Sequence, residues 1–334
     1  MSNRRWSADM PTAFITGASG QDGSYLVDRL LQKGWIVHAL VKPQSTPGPI
    51  SVPQSVRLHE SDVSDQRRMA DILLDVQPDA LFNLAGVSSV AKSWECPVDV
   101  LSTNAVATTG LLEVVSRIQD ISGTPVKFIQ ASSAELFGGT AEVPQTERTS
   151  ICPISPYGAS KALAHHMVGV YRRRGVFASS AILYNHESPR RPQSFVTRKI
   201  TSQVARIALG IDSQLLLGNL DAKRDWGWAP DYVEALVLMA EHELPDDFVI
   251  ATGVSHTVAE FVSCAFEAAG LHEWEKYTAV DSRFVRPVDA AELRGDSSKA
   301  RKELGWEPTM GFEEIVARMV ANDLEIEGRK AGLL

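Results

Sequence analysis

The chain has 334 residues, 44% of them hydrophobic and 22% charged, which suits one large or two medium domains around a sizeable core. A formal net charge of −8 argues against non-specific nucleic-acid binding and leaves room for a local basic pocket. No apolar run approaches the roughly 18 residues of a membrane span, no apolar stretch follows the N-terminal basic residues as a secretory signal requires, and Cys96, Cys152 and Cys264 stand in no metal-ligand spacing.

In chain order, Ala13–Thr16 reads as the first strand and Ser24–Lys33 as the helix after it, ended by Gly34. Further strands are expected at Ile36–Leu40, Val56–Leu58, Ala80–Leu84, Val126–Gln130 and Ala178–Leu183. Helical patterns fall between them at Ser64–Leu74, Asp99–Val115 and Pro156–Arg172. The segment Lys42–Pro53, with four prolines and one glycine, reads as a surface loop. Beyond residue 185 the pattern loosens. Basic and polar residues cluster at Ser188–Arg198 and Asp221–Trp228, Phe248–Ala251 reads as one more strand, and amphipathic helices start at Ser255 and Phe312. The alternation predicts an α/β fold with a Rossmann-like, doubly wound parallel sheet and a smaller mixed C-terminal substrate domain.

Gly17, Ser19, Gly20, Gln21, Asp22 and Gly23 fall at the first strand–helix junction, where glycines permit a tight turn and close approach to a pyrophosphate. That makes them candidate dinucleotide contacts. The spacing is G-x-x-G-x-x-G, not the G-x-G-x-x-G fingerprint, and it resembles the extended short-chain dehydrogenase/reductase superfamily. The second strand ends Leu40-Val41-Lys42 without the acid that would hold ribose hydroxyls. Lys42 suits a 2′-phosphate, so NADP is the expected cofactor with NAD as the alternative; a solvated loop lysine is the plainer reading of the same residue. Residues 1–185 would then form the NADP-binding domain, with return segments near 225–255, and 186–334 mainly the substrate domain.

Tyr157 and Lys161, four apart on an expected helix, share one face. A phenol titrates near ~10, so use as a base near neutrality needs that value lowered by about 2–3 units. An adjacent ammonium can contribute to such lowering. The same pair also suits an exposed helix surface. The preceding run Gln130-Ala131-Ser132-Ser133-Ala134-Glu135 adds a hydroxyl at Ser133 and a carboxylate at Glu135. Ser133 also suits a strand-end hydrogen bond, and Glu135 a helix first turn.

Longer motifs narrow the superfamily. Asn185-His-Glu-Ser-Pro-Arg-Arg191, Phe195–Thr201, Leu217–Gly227, Gln130–Gly138, Asp281–Pro287, Gly295-Asp296 and Leu304–Pro308 resemble GDP-mannose 4,6-dehydratases across nearly the whole chain. The resemblance implies GDP-mannose as substrate, oxidation at C4, elimination of water across C5–C6, and hydride return to C6. It implies Tyr157 as the C4 hydroxyl base, Lys161 and Ser133 as its helpers, and Glu135 as the C5 base. It adds Asp62, Val63, Leu84, Ala85, His186 and Arg191 to the cofactor contacts, with a local capping role as the alternative for Asp62. Ser88, Asn185, Val196, Lys199, Arg224 and Arg286 are implied on the substrate side, the two arginines toward the diphosphate. Trp226 and Trp228 read as packing residues. The family's usual threonine and serine stand here as Ser133 and Ala134, and its arginine-rich loop is replaced by Pro43–Pro53, leaving homodimer and homotetramer both open. A cytoplasmic enzyme with no metal, membrane or nucleic-acid partner is expected. The alternatives are a nucleotide-sugar reductase or epimerase, for which a carboxylate at position 135 is unnecessary, and a non-catalytic NADP-binding sensor.

Overall fold

The computed structural model describes residues 10–43, 52–285 and 288–333. Its N-terminal layer runs β1 (Thr12–Thr16), α1 (Gln21–Gln32), β2 (Ile36–Val41), β3 (Arg57–Glu60), α2 (Gln66–Val76), β4 (Ala80–Asn83), α3 (Val90–Glu95) and α4 (Pro97–Leu101). A π-turn at Ser102–Val106 leads into α5 (Ala107–Ser122), followed by β5 (Lys127–Ala131), a 3₁₀ turn at Ala134–Phe137, α6 (Pro156–Arg173) and β6 (Ala178–Leu183). The second half contains β7 (Asn185–Glu187), α7 (Val196–Ala208), β8 (Leu215–Leu217), β9 (Lys223–Trp228), α8 (Ala229–Glu241), β10 (Asp247–Ile250) and β11 (Ser255–Thr257). It ends with α9 (Val258–Ala268), β12 (Thr278–Val280), β13 (Glu292–Leu293), α10 (Ser298–Leu304) and α11 (Phe312–Lys330).

Seven parallel strands form the main sheet in the order β3-β2-β1-β4-β5-β6-β10. β1, β4, β5 and β6 are buried along nearly their whole length because helices cover both of their faces. On one face Leu26, Val27 and Leu30 of α1 pack with Leu236, Val237 and Met239 of α8; on the other, Leu111, Leu112 and Val115 of α5 pack with Val168 of α6. The strand order reverses direction between β1 and β4, so a crevice opens beyond their carboxyl ends, where ligands bind in sheets of this kind. Pro97–Ser122 is long and apolar enough by composition alone to cross a membrane, but Leu111, Leu112, Val115 and Ile118 bury its inner face in the helix layer over the sheet.

The second half differs most from the sequence reading. Lys223–Trp228 is not an irregular basic cluster but the strand β9, flanked by β11 and β13 and joined by β7. Lys223 is exposed, but Arg224 and Asp225 are buried with partners: Asp225 accepts hydrogen bonds from Thr252 and Gly253, and Arg224 pairs with Asp289. Ser255–Thr257 is a short strand; the helix starts at Val258, capped by a reciprocal Thr257–Glu260 box. α7, which the basic composition of Ser188–Arg198 concealed, packs against α9 and α11 over a core of Ile200, Val204, Phe261, Val316 and Met319. Its Arg198 is buried, forked onto Asp323 of α11. α8 and β10 return to the main sheet.

Candidate active site

The crevice holds one cavity of about 550 Å³, running from the β1–α1 loop past β4, β5 and α6 to β7, α7 and β9. At one end lies the glycine loop. Gly17 has φ +73°, and a Cβ there would sit 2.9 Å from the Ala85 amide; one on Gly23 would sit 2.2 Å from the Gly17 carbonyl. Only glycine allows this loop to close so tightly against α1 and the β4 turn. Thr16 fixes that turn, since its hydroxyl accepts from the Leu84 and Ala85 amides and donates to Asn83. No side chain caps α1 at Gly20, so its first amides remain available to an anion.

Of the expected cofactor contacts, Gly17, Ser19, Gly20, Gln21, Asp22, Gly23, Lys42, Val63, Leu84, Ala85, Tyr157, Lys161, His186 and Arg191 all line the cavity. Asp62 does not. Its carboxylate caps a local turn by accepting from the Ser64 amide and hydroxyl, and it pairs with Lys42 at 3.2 Å. On the substrate side Ser88, Asn185, Val196, Lys199 and Arg224 line the same cavity, whereas Arg286 lies outside the described residues. Among the described residues no group of three or more histidines, cysteines or carboxylates is placed to hold a metal ion.

The centre of the cavity collects Ser133, Glu135, Tyr157 and Lys161. Ser133, two residues past the end of β5, caps the 3₁₀ turn by accepting from the Glu135 amide at 3.2 Å. α6 begins directly on this turn: Ser155 caps it, and a Cβ on Gly158 would lie 2.7 Å from the Glu135 carbonyl. The helix therefore brings Tyr157 against the serine–glutamate turn. Tyr157 and Lys161 are both buried, and the Lys161 ammonium donates to the Ala131 carbonyl at 2.8 Å and lies 5.9 Å from the Tyr157 ring centre.

The expected lowering of the phenol is not what this geometry produces. Burial pushes Tyr157 up to about 12, and the Glu135 charge adds to that, opposed by the hydrogen bond with Ser133. Burial also brings Lys161 down to about 8. Desolvation outweighs the ammonium because Lys161 turns to a backbone carbonyl, so the protein's own groups hold Tyr157 as a neutral phenol.

His186 and Asp22 join the two halves of the site. The His186 ring nitrogens face the Tyr184 carbonyl at 2.7 Å and the Asp22 carboxylate at 3.0 Å. Both partners are acceptors, so the ring carries two protons and a positive charge. Burial alone would lower His186, but Asp22 outweighs it and the value rises. Burial likewise opposes ionisation of Asp22, yet His186 and Gln21 take it down to about 2. Tyr232 stacks on the imidazole at 4.5 Å, and Ser188 and the His186 carbonyl bond the Gln21 amide. Arg190 pairs with Asp28 and stacks on Tyr25 of α1.

Glu187 and Trp226 line the cavity although the sequence reading gave Glu187 no role and Trp226 only a packing one. Glu187 is buried, accepts from the Thr197 hydroxyl at 2.6 Å and pairs with Arg191; burial pushes its carboxyl up against the pull of that arginine. It lies inside the Asn185–Arg191 motif, so its position was visible, but nothing in a sequence shows a carboxylate turned inward. For Trp226, its alternation with Arg224 along β9 was the available signal.

The family model for GDP-mannose 4,6 dehydratase matches residues 14–319. GDP-mannose 4,6 dehydratase 1 of Arabidopsis thaliana is 44% identical over 333 residues, covering 95% of this chain and 91% of the relative. GDP-mannose 4,6 dehydratase of Homo sapiens is 41% identical over 342 residues, covering 94% and 91%. Among solved structures, the Thermus thermophilus UDP-glucose 4-epimerase in complex with NAD superposes with a TM-score of 0.81 at 26% identity, covering 93% of this chain and 98% of that one. The chain belongs to the GDP-mannose 4,6-dehydratase family.

Proposed function

We propose that this chain is a GDP-mannose 4,6-dehydratase working with a nicotinamide dinucleotide, NADP in preference to NAD. The relatives named above carry the activity in their names, and the observation here that selects it is Glu135, a carboxylate in the same turn as Ser133 and beside Tyr157. A simple reduction or epimerisation at C4 needs no such base.

The cleft fits a dinucleotide: a glycine turn without side chains, an uncapped helix start, and the cationic groups Lys42, His186 and Arg191 along the same cavity. Lys42 at the end of β2 is the group for a 2′-phosphate, and supports NADP. A bound nicotinamide cofactor would supply a hydride acceptor that can also return the hydride, and its oxidised form would bring positive charge into the cavity. That charge favours the phenolate of Tyr157, whose phenol proton is released to solvent, and the phenolate then takes the C4 hydroxyl proton while Ser133 hydrogen-bonds that hydroxyl. Lys161, fixed by Ala131, offers its remaining N–H donors to the cofactor ribose and phenolate. A ketone at C4 acidifies C5–H, which Glu135 removes. The C6 hydroxyl leaves as water with a proton held by Tyr157 or Glu135, and C5 is reprotonated as C6 is reduced. The sugar thus loses one water, with no net oxidation.

Incubating the protein with GDP-mannose and following mass tests the reading. Loss of one water without net cofactor turnover supports it; a product that consumes stoichiometric NADPH makes the protein a reductase, and an unchanged mass overturns both.

The oligomer we propose is a homodimer across α4 and α6. Val98 (75% exposed), Leu101, Val106, Leu163 and Val170 lie exposed on adjoining elements, with Leu163 and Val170 two turns apart on one α6 face.

A further inference from the structure

Trp226 lines the substrate end of the cavity and is only 2% exposed, yet its indole N–H has no hydrogen-bond acceptor among the described residues. Its aromatic neighbours Phe261 and Phe312, at 5.3 and 6.1 Å between ring centres, offer no oxygen. Indole is a donor only, and a buried donor without a partner carries a desolvation cost that native structures rarely leave uncompensated. Trp226 stands two residues from Arg224, so the two side chains leave β9 on the same face, about 7 Å apart along the strand. Arg224 is itself buried, its guanidinium fixed by Asp289 and the Ala290 carbonyl. One rigid strand thus presents a cation and an unsatisfied neutral donor side by side, next to Asn219, Ala222 and Val258.

We infer that the Trp226 indole N–H is a diphosphate-binding donor, giving a hydrogen bond to an acceptor oxygen of the nucleotide-sugar diphosphate beside Arg224. The inference rests on the nucleotide-sugar reading of the cleft. It makes Trp226 a recognition residue as well as a packing one. The bond forms with GDP and GDP-mannose alike and does not change during the reaction, so its loss weakens binding and leaves the chemical step alone.

The test replaces the N–H and keeps the ring. Trp226→Phe, and a second protein in which the indole at 226 is exchanged for its sulfur isostere benzothiophene, are compared with wild type by calorimetric titration with GDP, guanosine and NADP. About a fivefold to tenfold rise in the GDP Kd for both variants is expected, with a matching rise in KM for GDP-mannose, unchanged kcat and unchanged NADP and guanosine binding. Wild-type affinity for GDP in both variants overturns the inference, as does a loss that appears equally with guanosine, which would place the bond on the nucleoside. If wild type binds neither GDP nor GDP-mannose, the nucleotide-sugar reading fails first, and that outcome is visible without any variant.

Discussion

Replacing Asp22 by asparagine should discharge His186 and remove the ion pair between β7 and the cofactor loop. In the wild type the Asp22 carboxyl lies at about 2 against an ordinary 3.8. That gap corresponds to about 2 kcal/mol in favour of the folded, ionised form at neutral pH. Its contribution is present above the ordinary carboxyl value and is lost as pH falls through about 2. His186 is raised above its ordinary 6.5, so its contribution is complete below that value and is lost as pH rises through the folded one. The pair therefore stabilises most between roughly pH 4 and 6.5. In Asp22→Asn, burial acts on the imidazole without the opposing carboxylate, and His186 becomes neutral at pH 7. Thermal unfolding from pH 5 to 9 should show a variant destabilised by about 2 kcal/mol near pH 6, a few degrees in Tm, with the difference shrinking toward pH 9. An NMR titration should show the His186 signal moving below its ordinary range. Unchanged melting across this pH range together with an unchanged imidazole titration would refute the charged-pair argument.

Glu135→Gln should stop elimination and lower kcat by about a hundredfold or more while NADP affinity stays at the wild-type value, read by rapid-quench mass analysis and cofactor titration; full turnover in that variant removes Glu135 from the mechanism. Lys42→Ala should weaken NADP binding more than NAD binding. Because the Lys42–Asp62 pair is exposed and worth little to folding, its melting temperature should not move. Equal effects on both cofactors would reject the phosphate role. Leu163→Arg should shift the protein from dimer to monomer in light scattering after gel filtration, whereas an unaltered mass would place the dimer elsewhere.

The first half was legible because its signals are local. Apolar runs mark the strands, helical spacing marks α1 and α6, and Gly34 sits just past the end of α1 with φ +78°. The loop Gly17–Gly23 and the pair Tyr157–Lys161 are each set by one turn or one helix. The second half was hidden because its partners are distant. Arg198 finds Asp323, Asp225 finds Thr252, and Arg224 finds Asp289, so residues that look like solvated charge are buried and paired. Likewise Asp62 turned to Ser64, and Lys161 to the Ala131 carbonyl, choices among nearby partners that composition does not decide. The phenol shifted against expectation for the same reason: four-residue spacing places an ammonium on the right face without fixing what it bonds.

The most direct measurement uses GDP-mannose carrying deuterium at C4. The mechanism predicts that the deuterium appears in the C6 methyl group of the 4-keto product, within the same molecule, with one water lost and no accumulated NADPH. Deuterium lost to solvent or retained at C4, or a reduced cofactor formed in proportion to product, would contradict it.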